Sequence, residues 1–418
     1  MILFLLLFPA ILFGEDLKTL LEFARQNNNL LNASKISVQA KVQELNSVKS
    51  SYYPVIDATT FYKRDDDPTP FYPGTTYGAT AKISFNIYDG GKKAYTKKQK
   101  NNELTAQKFS HKENTKLMFL NITKEFFNLK TLYSSLQAKE EASKDVKAQL
   151  ERVQHFFEAN LATSDDVDKL QSAYARNIYD IESLKFKIYS LKSNLELQVG
   201  KKFTKLDSSK FKKSLNENKV QLDSIEKLKY TQKALRNLSQ TVSSYYYPNI
   251  NIADSYTVFG YEDKPSFANQ PIPLLDKQNE ITATLSMRLF DFGTLNEQKE
   301  ALKLQADALN EKIIYKTKEQ QMQLELSLHR IKTTMLNIES SKIALKSSTN
   351  ALKTITKKYE AGIVDNITYL DALSSKTQAK ALYEKSLNDL EIAYAIYYYY
   401  NSKNLEDYLK WKKQSYSF

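Results

Sequence analysis

Two hydrophobic periods divide this chain. Ala79, Ala81, Ile83, Phe85 and Ile87 alternate with Thr80, Lys82, Ser84 and Asn86. Ile281, Ala283, Leu285, Met287 and Leu289 alternate with Thr282, Thr284, Ser286 and Arg288. A period of two gives a strand one apolar and one polar face. Two further strands follow Pro54 and Pro248. On the second of these Ile250, Ile252, Tyr256 and Val258 share a side that Asp254 interrupts. Strands are expected over about 54–64, 78–89, 248–261 and 280–291, each pair joined by a Pro-rich polar loop, 65–77 or 262–279.

The other period is helical. Residues 92–199 contain neither Pro nor Gly, and neither do residues 294–361. Lys, Glu, Gln, Leu and Ala fill these stretches, and all favour helix. A helix of about 68 residues would run roughly 100 Å. Val146, Leu150, Val153 and Phe157 step by four, three and four, and Leu352, Ile355 and Tyr359 repeat the phase with Ser348 in the first place. This spacing lays one apolar seam along a helix, as in a coiled coil. Long helices are expected over 92–199, 294–361 and 366–400. The fold class is mainly α with a small β part.

The chain is also written twice. Tyr52-Tyr53-Pro54 returns as Tyr246-Tyr247-Pro248, and Tyr88-Asp89-Gly90-Gly91 as Phe290-Asp291-Phe292-Gly293. Phe157 to Leu161 return as Tyr359 to Ile363. The last two pairs share an offset of 202 (291 against 89, 359 against 157), whereas the first has 194 (248 against 54). The reading is a first repeat over 15–215, a second over 216–400 and a C-terminal tail over 401–418. Residues 1–14 are an apolar run ending in Gly14, too short for a comfortable span. They read as a secretory signal peptide, with an N-terminal membrane anchor as the alternative.

Composition narrows the chemistry. The chain has 418 residues, no cysteine and a net charge of +12. No thiol catalysis, disulfide or cysteine-ligated metal is available. His111, His155 and His329 share no ligand spacing and read as helix-surface residues. The basic residues read as spread along solvated helices, which speaks against a nucleic-acid partner. Gly90-Gly91-Lys92-Lys93 and Gly200-Lys201-Lys202 lack phosphate-loop spacing. No catalytic constellation, metal site or cofactor site emerges, so an enzyme is not expected.

A strand with one lipid-compatible and one polar face suits a transmembrane barrel. Four strands cannot close a barrel, and an open edge in lipid is forbidden, so other subunits must complete the wall. A small soluble hairpin sheet capping a coiled coil is the alternative.

The doubled Tyr-Tyr-Pro entry, the strand exits at 88–91 and 290–293, and the turn Tyr359-Glu360-Ala361-Gly362 followed by Leu370-Asp371-Ala372 resemble the TolC family of outer membrane efflux and secretion channels. The resemblance covers nearly the whole mature chain. It implies a homotrimer: three chains of four strands closing a 12-stranded barrel in outer membrane lipid, with the helices continuing as a hollow periplasmic α-barrel. It implies barrel-to-helix junctions at Asp89, Gly90, Gly91, Asp291 and Gly293. Helix turns at the periplasmic tip would meet a periplasmic adaptor through Ala159, Asn160, Leu161, Ala162 and Thr163 and through Ala361, Gly362, Ile363, Val364 and Asp365. A periplasmic gate would involve Asp371, Tyr359, Asp166 and Thr368. Asp371 matches one acidic ring of the family, while Thr368 and Val364 depart from its second Asp and its gate Arg. The function implied is a passive exit duct served by an inner-membrane transporter. A structural coiled-coil protein of the envelope is the alternative from another class.

Overall fold

The structure is a computed structural model. It describes residues 15–66, 69, 73–215, 220–262, 264, 266–267 and 270–410. The apolar run 1–14 and residues 411–418 of the expected tail lie outside the described residues, as do Pro68, Pro70 and Pro265.

Among the described residues seven α-helices and six strands follow one another along the chain. They are α1 (Leu17–Asn27), α2 (Asn29–Ser50), β1 (Val55–Arg64), β2 (Thr75–Asp89), α3 (Lys92–Glu158) and α4 (Ser164–Val199). There follow α5 (Asp223–Ser243), β3 (Asn249–Glu262), β4 (Ser266–Phe267), β5 (Gln270–Pro271), β6 (Lys277–Ser286), α6 (Thr294–Glu360) and α7 (Asn366–Tyr400).

The repeat governs where these elements begin. α5 and β3 start 194 residues after α2 and β1 (223 against 29, 249 against 55). β6, α6 and α7 start 202 after β2, α3 and α4 (277 against 75, 294 against 92, 366 against 164). The extra eight residues therefore lie between the starts of β3 and β6: β3 has 14 residues against 10 in β1, and the rest lengthen the following loop, where the β4–β5 ladder sits. That ladder falls inside what the sequence reads as plain polar loop. α3 and α6 are each 67 residues long.

The strands differ from expectation at their ends. β2 begins at Thr75, ahead of the clean alternation, because Thr75 and Thr76 still pair with Lys63 and Arg64. β6 stops at Ser286, short of the expected 291, where its pairing with β3 runs out at Asn249.

The described chain forms two compact units, and neither is a repeat. Over the described residues the first lies within 15–35, 110–224 and 316–410, and the second within 36–109 and 225–315. Each draws on both copies, because neither copy can bury its apolar faces alone.

In the first unit a core joins α1, the middle of α3, the end of α4, the end of α7 and the segment after α4. Phe126, Phe127, Leu195, Phe211, Tyr394 and Tyr398 are among its fully buried side chains. Gly200 ends α4 at φ 75 against Asn27, whose carbonyl oxygen a Cβ would meet at 3.0 Å. The following segment is tied down twice, by a parallel bridge from Glu15 to Leu206 and an antiparallel one from Phe211 to Leu409. The backbone N–H of Phe211 donates to the buried Glu391 carboxylate at 2.6 Å. Burial pushes the pKa of that carboxyl up, against the hydrogen bond and the nearby Lys213, Lys210 and Lys410. Residues 401–410, expected as a tail, belong to this core: Leu405 and Leu409 are buried, and Tyr408 stacks on Tyr398 at 4.1 Å. The Tyr397–Tyr400 run supplies much of the same core, with Tyr397, Tyr398 and Tyr399 all buried.

In the second unit four strands form an antiparallel sheet in the order β1-β2-β3-β6. β1 and β6 are its edges, each paired on one side. Beyond the sheet, Phe109 stacks on Tyr230 at 5.6 Å, and Lys41, Glu44, Lys100 and Glu103 form an ion-pair network.

Candidate functional site

At one end of the first unit, α3 and α6 turn back as α4 and α7, and a small core joins the four. Val146, Leu150 and Val153 are buried against Leu170, Tyr369 and Leu373, with Leu352, Ile355 and Tyr359 packed beside them. Phe157 keeps the heptad phase in sequence yet stays exposed, because the helix ends one residue later.

Both turns close the same way. Asn160 at φ 57 and Gly362 at φ 69 are left-handed. The amides of Leu161 and Ile363 reach back to Phe156 and Lys358 at 2.7 and 2.8 Å. These are paired Schellman ends, with Asn substituting for Gly in the first. The residue after each turn is apolar and projects outward: Leu161 is 76% and Ile363 70% exposed. Ala159, Asn160, Thr163, Ala361, Gly362 and Asp365 are exposed too, while Ala162 and Val364 are half-buried.

The candidate gate residues divide into caps and core. Thr163 caps α4: its hydroxyl accepts from the Asp166 amide and donates to the Asp166 carboxylate at 2.7 Å. Asp365 caps α7: its carboxylate accepts from the Thr368 amide and hydroxyl at 2.9 and 2.6 Å. The two copies thus use one capping pair with the roles exchanged, Thr–Asp in α4 and Asp–Thr in α7. Thr368 is engaged by its cap. These bonds hold the Asp365 carboxyl below its ordinary range, helped by nearby Lys169.

Asn366 joins the two caps. Its side-chain amide donates to the Asp166 backbone oxygen and to the Asp166 carboxylate, both at 3.2 Å, and the residue is buried. No sequence motif marks it. The available signal is that the copies differ here, Ser164 against Asn366, directly after a cap.

Tyr359 stacks on Tyr369 at 5.1 Å. Burial raises the pKa of both phenols, that of Tyr369 to about 12. Asp371 is exposed at the mouth of a groove of about 630 Å³ between α3, α4 and α7. Lys139, Lys169 and Arg176 line the same groove. Lys169, which stands at the position of Asp371 in the first copy, is paired with Asp165 at 2.5 Å.

In the second unit the sheet is inside out. The outward apolar positions Ile83, Phe85, Ile252, Tyr256, Val258, Ile281 and Leu285 are exposed; on the polar face Thr80, Ser84 and Asn86 of β2 are half-buried, while Lys82 and the polar positions of the edge strand β6 are exposed. Register puts Ile56, Ile83, Asp254 and Ile281 in one row on the apolar face. On the polar face Thr80 and Thr257 share a hydrogen bond at 2.9 Å. Glycines let aromatic rings lie flat on the sheet: a Cβ at Gly78 would meet the Phe61 ring at 2.9 Å, and one at Gly260 the Tyr77 ring at 2.4 Å.

The junction residues form the same turn twice. Gly90 and Gly91 have φ 68 and 86; Phe292 and Gly293 have 55 and 86. Asp89 accepts from the amides of Gly91 and Lys93, and Asp291 from those of Gly293 and Leu295. Tyr246 adds a hydroxyl bond to Asp291 at 2.8 Å.

Of the histidines, His155 and His329 are exposed and His111 is half-buried against Ser34 at 3.2 Å. Among the described residues no acidic, His or Cys cluster is placed to hold a metal ion, and no helix is long and apolar enough to cross a membrane.

Residues 20–182 match the family described as outer membrane efflux protein. No curated protein sequence matches the chain significantly. Among solved structures it is similar to VceC, an outer membrane protein of Vibrio cholerae, with TM-score 0.77 at 13% identity over 93% of this chain and 96% of that one. It is similar to the CmeC outer membrane channel of Campylobacter jejuni, with TM-score 0.77 at 15% identity over 91% and 86%. It is also similar to the MtrE outer membrane channel of Neisseria gonorrhoeae in its open state, with TM-score 0.77 at 12% identity over 93% and 89%.

Proposed function

We propose that this chain, an outer membrane efflux protein by family over residues 20–182 and a TolC-type channel by fold, is the passive exit duct of an efflux or type I secretion system. Three copies close a 12-stranded barrel in the outer membrane, and their helices continue as a periplasmic tunnel. An inner-membrane transporter supplies energy and chooses the small molecules or proteins that pass. A periplasmic adaptor docks on the turns around Leu161 and Ile363, whose exposed apolar side chains at equivalent positions support that contact.

One observation carries the reading. The sheet exposes most of its apolar face, covers its polar face only along the central strands β2 and β3, and among the described residues leaves the outer sides of β1 and β6 unpaired. In water this arrangement leaves apolar surface and open edges uncovered. In lipid, with copies joined edge to edge, both are satisfied.

The test is membrane insertion. The protein is expected in the outer membrane fraction as a detergent-stable trimer that conducts ions in planar bilayers. Ile83→Lys puts a charge on the lipid face, at about 2–4 kcal/mol near mid-membrane, and should abolish insertion. Ser84→Lys, one residue on and facing the lumen, should insert as the wild type does. Equal insertion of both variants would remove the barrel reading.

A further inference from the structure

We propose that the start of α3 is a binding site for the phosphate headgroup of anionic glycerophospholipids in the leaflet facing the periplasm. The inference rests on the sheet being a barrel segment, since that places the strand ends at a membrane surface.

Five lysines, Lys92, Lys93, Lys97, Lys98 and Lys100, fall within nine residues, with no acid between Asp89 and Glu103. This cluster departs from the even spread of basic residues expected from the sequence. Lys100 is neutralised by Glu44 and Glu103 at 2.9 and 3.0 Å. Among the described residues the other four have no carboxylate within ion-pair distance. They lie over phenol rings instead. Lys92 is 4.5 Å from the Tyr245 ring centre and donates to its hydroxyl at 2.8 Å. Lys93 and Lys97 lie 5.6 and 6.0 Å from Tyr52, and Lys98 lies 5.5 Å from Tyr95; Lys93 also donates one N–H to the Asn86 carbonyl oxygen at 3.1 Å. A ring holds an ammonium on one side and leaves its remaining N–H directions open for an anion.

Two further features point to lipid. Tyr52, Tyr53 and Tyr245 are exposed immediately before β1 and β3, at the level where tyrosines line a membrane interface. The outward residues of the same strand end, Phe85 and Ile87, are exposed and apolar, which suits the acyl chains.

The second copy provides the contrast. The equivalent start of α6 reads Thr294-Leu295-Asn296-Glu297-Gln298-Lys299-Glu300, with an acid in the first turn. That is the charge a helix start favours; α3 has no acid there and places lysines against its own dipole. Folding therefore does not call for these lysines, and an anionic partner does. The site occurs once per chain.

The test uses the full-length protein in detergent and compares retention of phosphatidylglycerol and phosphatidylcholine by native mass spectrometry. The wild type should retain phosphatidylglycerol at least about tenfold better, since clustered lysines are attracted to an anionic surface. Combining Lys92→Gln, Lys93→Gln, Lys97→Gln and Lys98→Gln should bring the ratio near one. Should that variant fail to fold, Lys97→Gln with Lys98→Gln alone should lower the ratio part-way. Lys299→Gln in the second copy should leave it unchanged. Equal ratios in wild type and variants would overturn the proposal. So would displacement of the lipid by millimolar inorganic phosphate, which would mark a free-phosphate site. Insertion into vesicles is scored in parallel: if wild type and variant both insert with the same lipid ratio, this inference alone fails. If neither inserts, the barrel reading fails with it.

Discussion

The exchange of Thr and Asp between the two tip caps gives the copies different pH responses. Thr163 caps α4 with a hydroxyl that does not titrate in the acid range, whereas Asp365 caps α7 with a carboxylate. The Asp365 pKa lies below its ordinary 3.8, chiefly through its bonds from Thr368. A depressed carboxylate contributes stability that is fully present above the unfolded pKa and is lost as pH falls through the folded value. The first turn of α7 should therefore loosen below about pH 4 while the Thr163 cap persists. Amide exchange at residues 366–369 should rise on acidification and, at neutral pH, in Asp365→Ala. Protection that stays constant in both cases would contradict the assignment. The sequence makes the turns legible, because Asn160 and Gly362 are the residues a left-handed end accepts. It concealed that Asp166 and Thr368 serve the caps, since a Thr–Asp pair three apart reads equally as a cap or as two pore-lining side chains. Asn366 was hidden because a buried polar residue leaves no periodic trace.

At the scale of elements, the strand-to-helix junction shows how one backbone shape is met by two sequences. Gly90 and Phe292 occupy the same left-handed place. A Cβ at Gly90 would lie 2.4 Å from the Ser244 carbonyl oxygen and 2.7 Å from the Tyr247 Cβ. Phe292 is 91% exposed, and its Cβ already has room in the same conformation. Gly90→Ala should therefore lose about 2–4 kcal/mol, combining left-handed strain with a forced backbone shift. Phe292→Ala, which keeps a Cβ in the same conformation, should cost less than about 1 kcal/mol. Thermal unfolding of the helical circular dichroism signal measures both; similar shifts would disprove the asymmetry. Long helices and clean strands were legible because their periods run over many residues. The β4–β5 ladder and residues 401–410 were not, because a two-residue strand or a lone Leu405 and Leu409 has no period to read. The ladder is a local hairpin of Ser266 against Pro271, and residues 401–410 are held by a partner distant in sequence, Phe211 against Leu409, and by the stack of Tyr408 on Tyr398.

For the whole molecule, the duplication makes one chain supply two near-equivalent staves, so three chains would surround a pore with six. Where the copies carry opposite charge, such a pore would alternate instead of repeating. Lys169 and Asp371 are such a pair: they hold the same position in their copies and line the same groove. Lys169 is already neutralised by Asp165, whereas Asp371 has no ion-pair partner among the described residues. In the proposed trimer three unpaired carboxylates would set the local potential, and such a ring at a constriction favours cations. Asp371→Ala should lower the cation-to-anion permeability ratio in planar bilayers. Lys169→Ala should raise it, because it frees three Asp165 carboxylates beside the same groove. Opposite shifts from two symmetry-related positions distinguish a charged ring from general damage to the tip, which would move both variants the same way. The comparison is made at low ionic strength, where exposed charges are least screened.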